Sequence, residues 1–328
     1  MGRGRLEWLR HHVSGVNTEI NPGRQGLDQS WLHSLLPSSY PKRLMTSKFA
    51  EVDTIAADQF ERDHLRAGQP LIVRGVAASW PSAKWTMAGL RHDFGDRELE
   101  VQIFDDPATR HADWRRETRT LANYLDLMPS ASGLSQYLMF VTLGKYFPEL
   151  VKDVELPAFF SPFTRGVTAE AYGIFLGPPG QGSELHYHPI LWQGASQSFA
   201  VAIIGKKRFQ FFPPDETDNL YPFPIWEGFP RKGHWSQVSE ASEKFPRFSN
   251  AQPIDVVLEP GDGIYIPPHW WHSTCCLEDS LSLTLFFRGH WRYRCSPRLI
   301  PRDLTIHGVK SLLRWEKNFA RRRQRQSQ

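Results

Sequence analysis

The sequence contains few cysteines. Only three occur among its 328 residues, and two of them, Cys275 and Cys276, are neighbours. Neighbouring cysteines do not form an ordinary disulfide, so the small secreted domains that depend on a disulfide framework are excluded. A chain without such a framework is typical of a reducing compartment, and we expect the protein to be cytoplasmic.

Long apolar runs and a strong charge of one sign are also absent. Without a stretch of about 18 consecutive apolar residues, the sequence predicts no transmembrane helix. The N-terminus, MGRGRLEWLRHHVSG, is basic and lacks the apolar core of a signal peptide. The net charge is only +4, which gives no specific reason to expect nucleic acid as a partner. We therefore expect neither a membrane nor a nucleic acid among its partners.

Aromatic and aliphatic side chains are abundant. Hydrophobic residues make up 40% of the chain, with 21 Phe and 12 Trp, which is enough for a large buried core. Two short apolar segments flank the break NPGRQG, and they predict an N-terminal helical extension over residues 1–48. From there the pattern becomes that of a globular domain, over residues 49–296. Residues 297–328 are predicted to form a C-terminal helix with a basic tail.

The second half of the globular region has the spacing of an antiparallel barrel. Short apolar runs are separated by Gly/Pro turns, which favours a double-sheet jelly roll with flanking helices, mainly β in class. A longer segment over residues 215–253 interrupts the runs, and its aromatic and proline content predicts an ordered loop. The predicted strands are AEAYGIFLG, SELHYH, SQSFAVAIIG, KKRFQFFP, IDVVLEPG, DGIYIPP and DSLSLTLFFRG.

Three histidines stand at or near the ends of these predicted strands. His186 and His188 are two residues apart, so in a strand their side chains point to the same face. His272 follows a distant strand, IYIPP. Two imidazoles on one face together with a third from another strand make a plausible set of metal ligands. The alternative is that they are ordinary polar residues at strand ends.

At these residues the sequence resembles the JmjC-type branch of the cupin superfamily, which includes asparaginyl hydroxylases. The resemblance rests on the order of four segments, which are HYH…GKKRFQFFPP, NLYPFPIW, FPRFSNAQP and EPGDGIYIPPHWWHS. It implies a double-stranded β-helix that uses Fe(II) and 2-oxoglutarate. It also implies that His186 is the first metal ligand and His272 the last.

The resemblance further implies which residues hold the cosubstrate. Lys207 matches the lysine that pairs with the distal carboxylate of 2-oxoglutarate, and an ammonium inside an apolar barrel requires an anion. The alternative is that Lys206 points inward instead. Ser183 matches a hydroxyl that contacts the same carboxylate, although a serine there is also an ordinary turn residue. Thr284 or Ser282 on the last strand is a further candidate.

The sequence departs from the family pattern at the second ligand. The family has a carboxylate there and this chain has His188, while Glu184 could share the face of His186 only in a regular strand. Three functions therefore stay open. The first is an Fe(II)- and 2-oxoglutarate-dependent oxygenase that acts on a peptide, protein or small molecule, with His186, His188 and His272 as metal ligands. The second is a non-catalytic binding or regulatory module, with Trp226 and Trp235 as a partner surface. The third is a three-histidine metal dioxygenase that does not use 2-oxoglutarate.

The C-terminal helix also has two interpretations. Its apolar positions approximate one face, and the family resemblance suggests that such a helix forms a homodimer. It could equally lie against its own barrel.

Overall fold

The structure is a computed structural model, and the fold is described from the parts of the chain that it places. The predicted extension over residues 1–48 and most of the basic tail lie outside those parts. The described residues are 49–104, 114–129, 136–164, 166–189, 197–225, 235–238, 242–287, 296 and 299–308. No helix within these ranges is long and apolar enough to cross a membrane.

Twelve strands occur in the described residues, and they form two sheets. Most neighbours are antiparallel, while β1 and β2 run parallel. The strands are β1 (Ala50–Val52), β2 (Leu71–Val73), β3 (Glu98–Phe104), β4 (Trp114–Thr120), β5 (Gln136–Thr142), β6 (Gly173–Gly177), β7 (Gln197–Ile204), β8 (Lys207–Phe212), β9 (Ile254–Leu258), β10 (Gly263–Ile266), β11 (Trp271–Cys276) and β12 (Ser280–Phe287).

The two sheets face each other as in a jelly roll. The large sheet has the order β1-β2-β10-β7-β12-β6-β5-β3-β4, and the small sheet has the order β11-β8-β9. Apolar side chains from both sheets meet between them, such as Ala200 and Ile264 from the large sheet and Phe209 and Phe211 from the small one. Burial of such surface is the main favourable contribution to folding. The predicted fold class, a mainly β double-stranded β-helix, is confirmed.

Short helices cover the outer face of the large sheet. Their apolar residues share one buried cluster with the outward-facing side chains of the strands, such as Leu281 and Leu283 of β12. The helices are α1 (Ala57–Phe60), which continues as a π-helical turn (Glu61–Leu65), α2 (Met87–Phe94), α3 (Leu121–Leu127) and α4 (Leu143–Tyr146). Turns of 3-10 helix lie at Pro81–Lys84, Pro148–Asp153, Ser161–Phe163, Ala169–Ala171, Pro214–Asn219 and Pro246–Asn250.

Local sequence explains where the helices begin. The side chains of Thr86 and Thr120 accept hydrogen bonds from the backbone N–H groups of Gly89 and Asn123, three residues later. Such threonine caps satisfy N–H groups that have no partner inside the helix. Thr86 therefore fixes the start of α2, and Thr120 fixes the start of α3.

Two strand assignments from sequence differ from the structure. The segment SELHYH is not a continuous strand, because only His186 forms bridges there, to Trp235 and to His272. His272 does not end the strand IYIPP but lies near the start of a separate strand, β11. The sequence WHSTCC of β11 has no apolar alternation, since its polar residues face the interior, and for that reason the pattern did not predict it.

The described part of the C-terminal helix, residues 300–308, lies against its own chain. Leu299, Asp303 and Ile306 are at most 3% exposed. Leu304, on another face of this helix, is 55% exposed. These contacts support the interpretation that this end packs on its own barrel, and the predicted homodimer stays a prediction.

Gly182 is required where the segment before His186 passes β11. A Cβ atom at this position would overlap the backbone carbonyl of Thr274, far inside van der Waals contact. We expect Gly182→Ala to destabilise the fold by about 1–3 kcal/mol, the usual cost of overpacking. Urea unfolding measures this change in the free energy of unfolding. Gly308→Ala is the control because a Cβ there meets nothing within 4 Å, and equal effects of the two changes would contradict the explanation.

Candidate metal centre

Two of the three histidines face each other across one backbone bridge. The His186 N–H donates to the His272 carbonyl at 3.0 Å, and the His272 N–H donates to the His186 carbonyl at 2.7 Å. Residues that exchange both hydrogen bonds in an antiparallel pair carry their side chains on the same face. Their ring centroids are 4.4 Å apart. This bridge therefore brings together two residues that are distant in sequence.

His188 joins the pair because it lies two residues beyond His186. Its carbonyl accepts a hydrogen bond from the His269 N–H at 3.2 Å, which keeps this end of the segment next to the loop before β11. One ring nitrogen from each of the three histidines lies within 4.8 Å of the others. No other such group of histidine, cysteine or acidic side chains occurs in the described part of the chain.

The hydrogen bonds of two rings fix which nitrogen carries the proton. Nδ1 of His186 lies 2.7 Å from the Glu184 carbonyl, and Nδ1 of His272 lies 3.0 Å from the Trp270 carbonyl. A carbonyl only accepts, so Nδ1 of these two residues carries the proton and Nε2 keeps its lone pair. Metal-binding histidines commonly have such a partner on the other nitrogen. Nδ1 of His188 is 3.4 Å from the hydroxyl of Ser198, a group that can donate or accept.

Burial keeps the imidazoles of His186 and His272 neutral. Loss of water around the ring lowers the pKa of His186 to about 4. The pKa of His272 is also well below its usual value, because the ring is buried and lies beside His186. Only a neutral imidazole can donate a lone pair to a metal ion. These two side chains are therefore ready to bind a metal at neutral pH, and three imidazoles together suit a divalent transition metal.

Glu184 does not complete the group. It lies two residues before His186, but the strand is irregular there, and within the described residues the candidate metal group contains only the three histidines. Glu184 instead contributes its backbone carbonyl, which orients the His186 ring. Among the described residues, the group thus offers three imidazoles and no carboxylate.

Aromatic rings surround the histidines. Trp235 stacks on His186 with a centroid distance of 4.6 Å and an interplanar angle of 18°. Phe286 of β12 lies edge-on to His188 at 5.1 Å. Trp235 is thus part of the wall of the site, while Trp226 lies outside the described residues.

Lys207 points into the same interior. It is the first residue of β8 and alternates with Phe209 and Phe211, which face the barrel core. Its side chain is 3% exposed, and burial lowers the pKa of its ammonium group. Lys206 is on the opposite face, where it pairs with Glu259 at 3.0 Å.

The partners of the Lys207 ammonium are neutral. Nζ donates to the hydroxyls of Tyr137 and Ser282, both at 2.9 Å. The ring of Phe175 lies 5.4 Å away. No carboxylate within the described ranges forms an ion pair with Lys207, although other basic side chains have such partners. A buried cation of this kind is costly unless an anion binds beside it.

The two other predicted cosubstrate residues lie close to these groups in the fold. Ser183 pairs through its backbone with Thr274 of β11, whose hydroxyl accepts from the Ser183 N–H at 2.8 Å. Thr284 is 8% exposed and lies two residues after Ser282, on the same face of β12. Only Ser282 contacts Lys207 among these hydroxyls. Contact of Ser183 or Thr284 with a cosubstrate stays a prediction.

Sequence reasoning missed Tyr137. It is fully buried on β5 and its hydroxyl accepts from Lys207. In the sequence it belongs to the apolar run QYLMFV, whose pattern indicates no more than a strand. A buried tyrosine normally needs a hydrogen-bond partner, but the partner comes from a strand 70 residues away, so the run itself carried no signal.

A buried polar cluster supports the metal-binding segment from behind. The Tyr187 hydroxyl, between two of the histidines, donates to Asp303 Oδ1 at 2.9 Å. His269 Nε2 donates to Asp303 Oδ2 at 2.9 Å, and its Nδ1 accepts from the Ser296 N–H at 3.0 Å. Asp303 thus connects the C-terminal helix to both segments that carry the histidines.

The match to known proteins covers most of the chain. Residues 57–292 match the family of cupin-like domains. The chain is 28% identical over 235 residues to lysine-specific demethylase 8 of Xenopus tropicalis, which is 69% of this chain and 50% of that protein. It is 27% identical over 282 residues to lysine-specific demethylase JMJ30 of Arabidopsis thaliana, which is 84% of this chain and 62% of that protein.

A third relative has a different name. The tRNA wybutosine-synthesizing protein 5 of Danio rerio is 24% identical over 273 residues, which is 75% of this chain and 76% of that protein. The chain therefore spans about half to three fifths of the two demethylases and three quarters of this protein.

The polar cluster behind the site leads to a stability prediction. We expect Tyr187→Phe to lower the free energy of unfolding by about 1.5–3 kcal/mol, because the buried carboxylate of Asp303 loses the hydrogen bond that the Tyr187 hydroxyl donates. Urea unfolding of the metal-free protein measures the change. Tyr146→Phe serves as the control, since that hydroxyl contacts only Lys145 at the surface. A loss below about 0.5 kcal/mol for Tyr187→Phe would mean that the bond is not needed.

Proposed function

The chain belongs to the cupin-like, JmjC-type family of oxygenases, and from that premise we propose that it is an Fe(II)- and 2-oxoglutarate-dependent hydroxylase. Its substrate would be a peptide, a protein or a small molecule. The relatives' names include lysine-specific demethylases and a wybutosine-synthesizing protein. This variety supports the reaction class and leaves the substrate open.

One observation carries the proposal. A buried ammonium with no carboxylate partner in the described chain shares a barrel interior with three clustered imidazoles. The first needs an anion and the others suit a metal ion. A small acid that chelates a metal at one end and carries a carboxylate at the other satisfies both requirements. The 2-oxoglutarate dianion is such an acid.

The roles of the residues follow from their contacts. His186, His188 and His272 would hold the metal, while Lys207 would bind the distal carboxylate with help from Tyr137. When bound, Fe(II) supplies the redox chemistry that couples oxidation of 2-oxoglutarate by O2 to hydroxylation. The stacked Trp235 and the edge-on Phe286 would limit the access of water to the metal.

A second candidate function is favoured by His188. An imidazole in the place of the family's carboxylate removes one negative charge from the ligand set, and affinity alone would not select iron over zinc or copper. A three-histidine dioxygenase that does not use 2-oxoglutarate fits this observation. It leaves the buried charge of Lys207 unexplained, so we place it second. A non-catalytic module has less support, because Trp235 stacks on a histidine of the site.

The assignment of Lys207 can be tested by calorimetry. Truncating one partner of a buried charge pair costs about 2–5 kcal/mol, which corresponds to roughly thirtyfold to several-thousandfold weaker binding. We therefore expect Lys207→Met to nearly abolish binding of 2-oxoglutarate to the Mn(II)-loaded protein. Lys206→Met should bind like the wild type because Lys206 is at the surface. Equal affinities of the wild type and Lys207→Met would refute the assignment.

The role of His188 can be tested by substitution. We expect His188→Asp to increase Fe(II)-dependent release of succinate from 2-oxoglutarate, because a carboxylate offsets one unit of metal charge and favours oxidation of Fe(II). Metal content and succinate release are measured for the iron-loaded wild type and for iron-loaded His188→Asp under identical conditions. If the wild type turns over well and His188→Asp is inactive, the histidine is an adapted ligand. Metal binding without 2-oxoglutarate binding by the wild type would favour the second candidate function.

A further inference from the structure

Gln181 has a buried side chain that finds no hydrogen-bond partner among the described residues. It is 0% exposed, and neither Nε2 nor Oε1 of its amide is paired with any of them. Its backbone is fully engaged, because its N–H donates to Pro178 and its carbonyl accepts from Cys276. An amide buried without partners opposes folding because it has lost its hydrogen bonds to water, so its presence calls for an explanation.

The position of Gln181 places this amide near Lys207. The Gln181 carbonyl bonds to Cys276 at 2.7 Å, and Cys276 lies directly opposite Lys207 in the ladder of β11 and β8. A Cβ built on Gly177 would lie 2.6 Å from the Tyr137 ring and 3.2 Å from Gln181 Cβ. The side chain of Gln181 therefore starts beside the tyrosine whose hydroxyl binds the Lys207 ammonium.

Two unmet polar requirements thus occur at the same end of the barrel. Within the described ranges, Lys207 has only neutral hydrogen-bond partners, and the Gln181 amide has none. Whichever way the amide is turned, its NH2 group can donate and its oxygen can accept. A carboxylate bound to Lys207 provides acceptor oxygens for that donor, and hydrogen bonds to charged groups are among the stronger ones.

We propose that Gln181 is a specificity-determining residue that donates from its amide to the distal carboxylate of the cosubstrate, beside Lys207. This inference rests on the proposed function. In the ligand-free protein the unpaired amide lowers stability, and in the complex it contributes affinity. Gln181 would thus recognise the end of the cosubstrate that does not contact the metal.

Substitution by leucine gives effects of opposite sign on stability and on binding. Leucine fills about the same volume without polar atoms, so Gln181→Leu should raise the unfolding midpoint of the ligand-free full-length protein. In calorimetry on the Mn(II)-loaded protein it should weaken 2-oxoglutarate binding about 10- to 100-fold, as expected for the loss of one hydrogen bond to a charge. The affinity for oxalate, which chelates the metal and has no distal carboxylate, should not change.

Two further variants sharpen the test. Gln181→Glu introduces a carboxylate next to Lys207, so the internal ion pair should weaken 2-oxoglutarate binding at least about thirtyfold, as for the removal of a buried charge partner. Gln197→Leu is the matched control. Gln197 is equally buried, and its Nε2 also has no partner among the described residues, but its Oε1 accepts from the hydroxyl of Tyr265, which belongs to the apolar cluster under the helices. Gln197→Leu should lower the unfolding midpoint and leave the affinity for 2-oxoglutarate unchanged.

The outcomes separate this inference from the proposed function. Equal 2-oxoglutarate affinities of the wild type and Gln181→Leu overturn the inference alone. A lower unfolding midpoint of Gln181→Leu, or a parallel loss of oxalate binding, also overturns it, since the glutamine would then be structural. If the wild type binds oxalate but not 2-oxoglutarate, the proposed function fails and the inference fails with it.

Discussion

The pair of backbone hydrogen bonds between His186 and His272 organises this molecule. Because these two residues face each other directly, their imidazoles lie on one side, and His188 joins them two residues later. The same strand, β11, pairs on its other edge with β8, where His272 lies opposite Phe211 and Cys276 opposite Lys207. One strand with two ladders thus sets both the histidine group and the position of the buried ammonium.

Buried polar groups near this site lower the stability of the barrel. Lys207 and Gln181 are buried without full compensation, and each such group opposes folding. The large apolar cluster between the main sheet and its helices lies on the other face of the same strands. Its burial can offset these costs, so the functional interior need not be optimal for stability. The polar cluster of Asp303 adds rigidity behind the ligands.

Much of the fold was accessible from local patterns. Apolar strands such as β7 and β12 occur where their short-range patterns predict them, and the threonine caps of α2 and α3 follow from equally local preferences. The strand β11 was missed because its interior face carries His272, Thr274 and Cys276 and shows no apolar alternation. The irregular segment before His186 was predicted as a strand because the structure there is determined by two separate partners, Trp235 and His272.

The amino-acid order alone determined the class of fold and the pair His186 and His188, since both depend on spacings within a few residues. The choice of Lys207 over Lys206 for the interior was also predicted from sequence, through the family resemblance. Only the tertiary structure decided that Tyr137 and Ser282 contact Lys207, that Asp303 supports the histidine segments, and that the Gln181 amide has no partner among the described residues. The Lys207 contacts and the Tyr187–Asp303 contact join residues 70 to 116 positions apart, and no local pattern predicts which strands a folded barrel brings together.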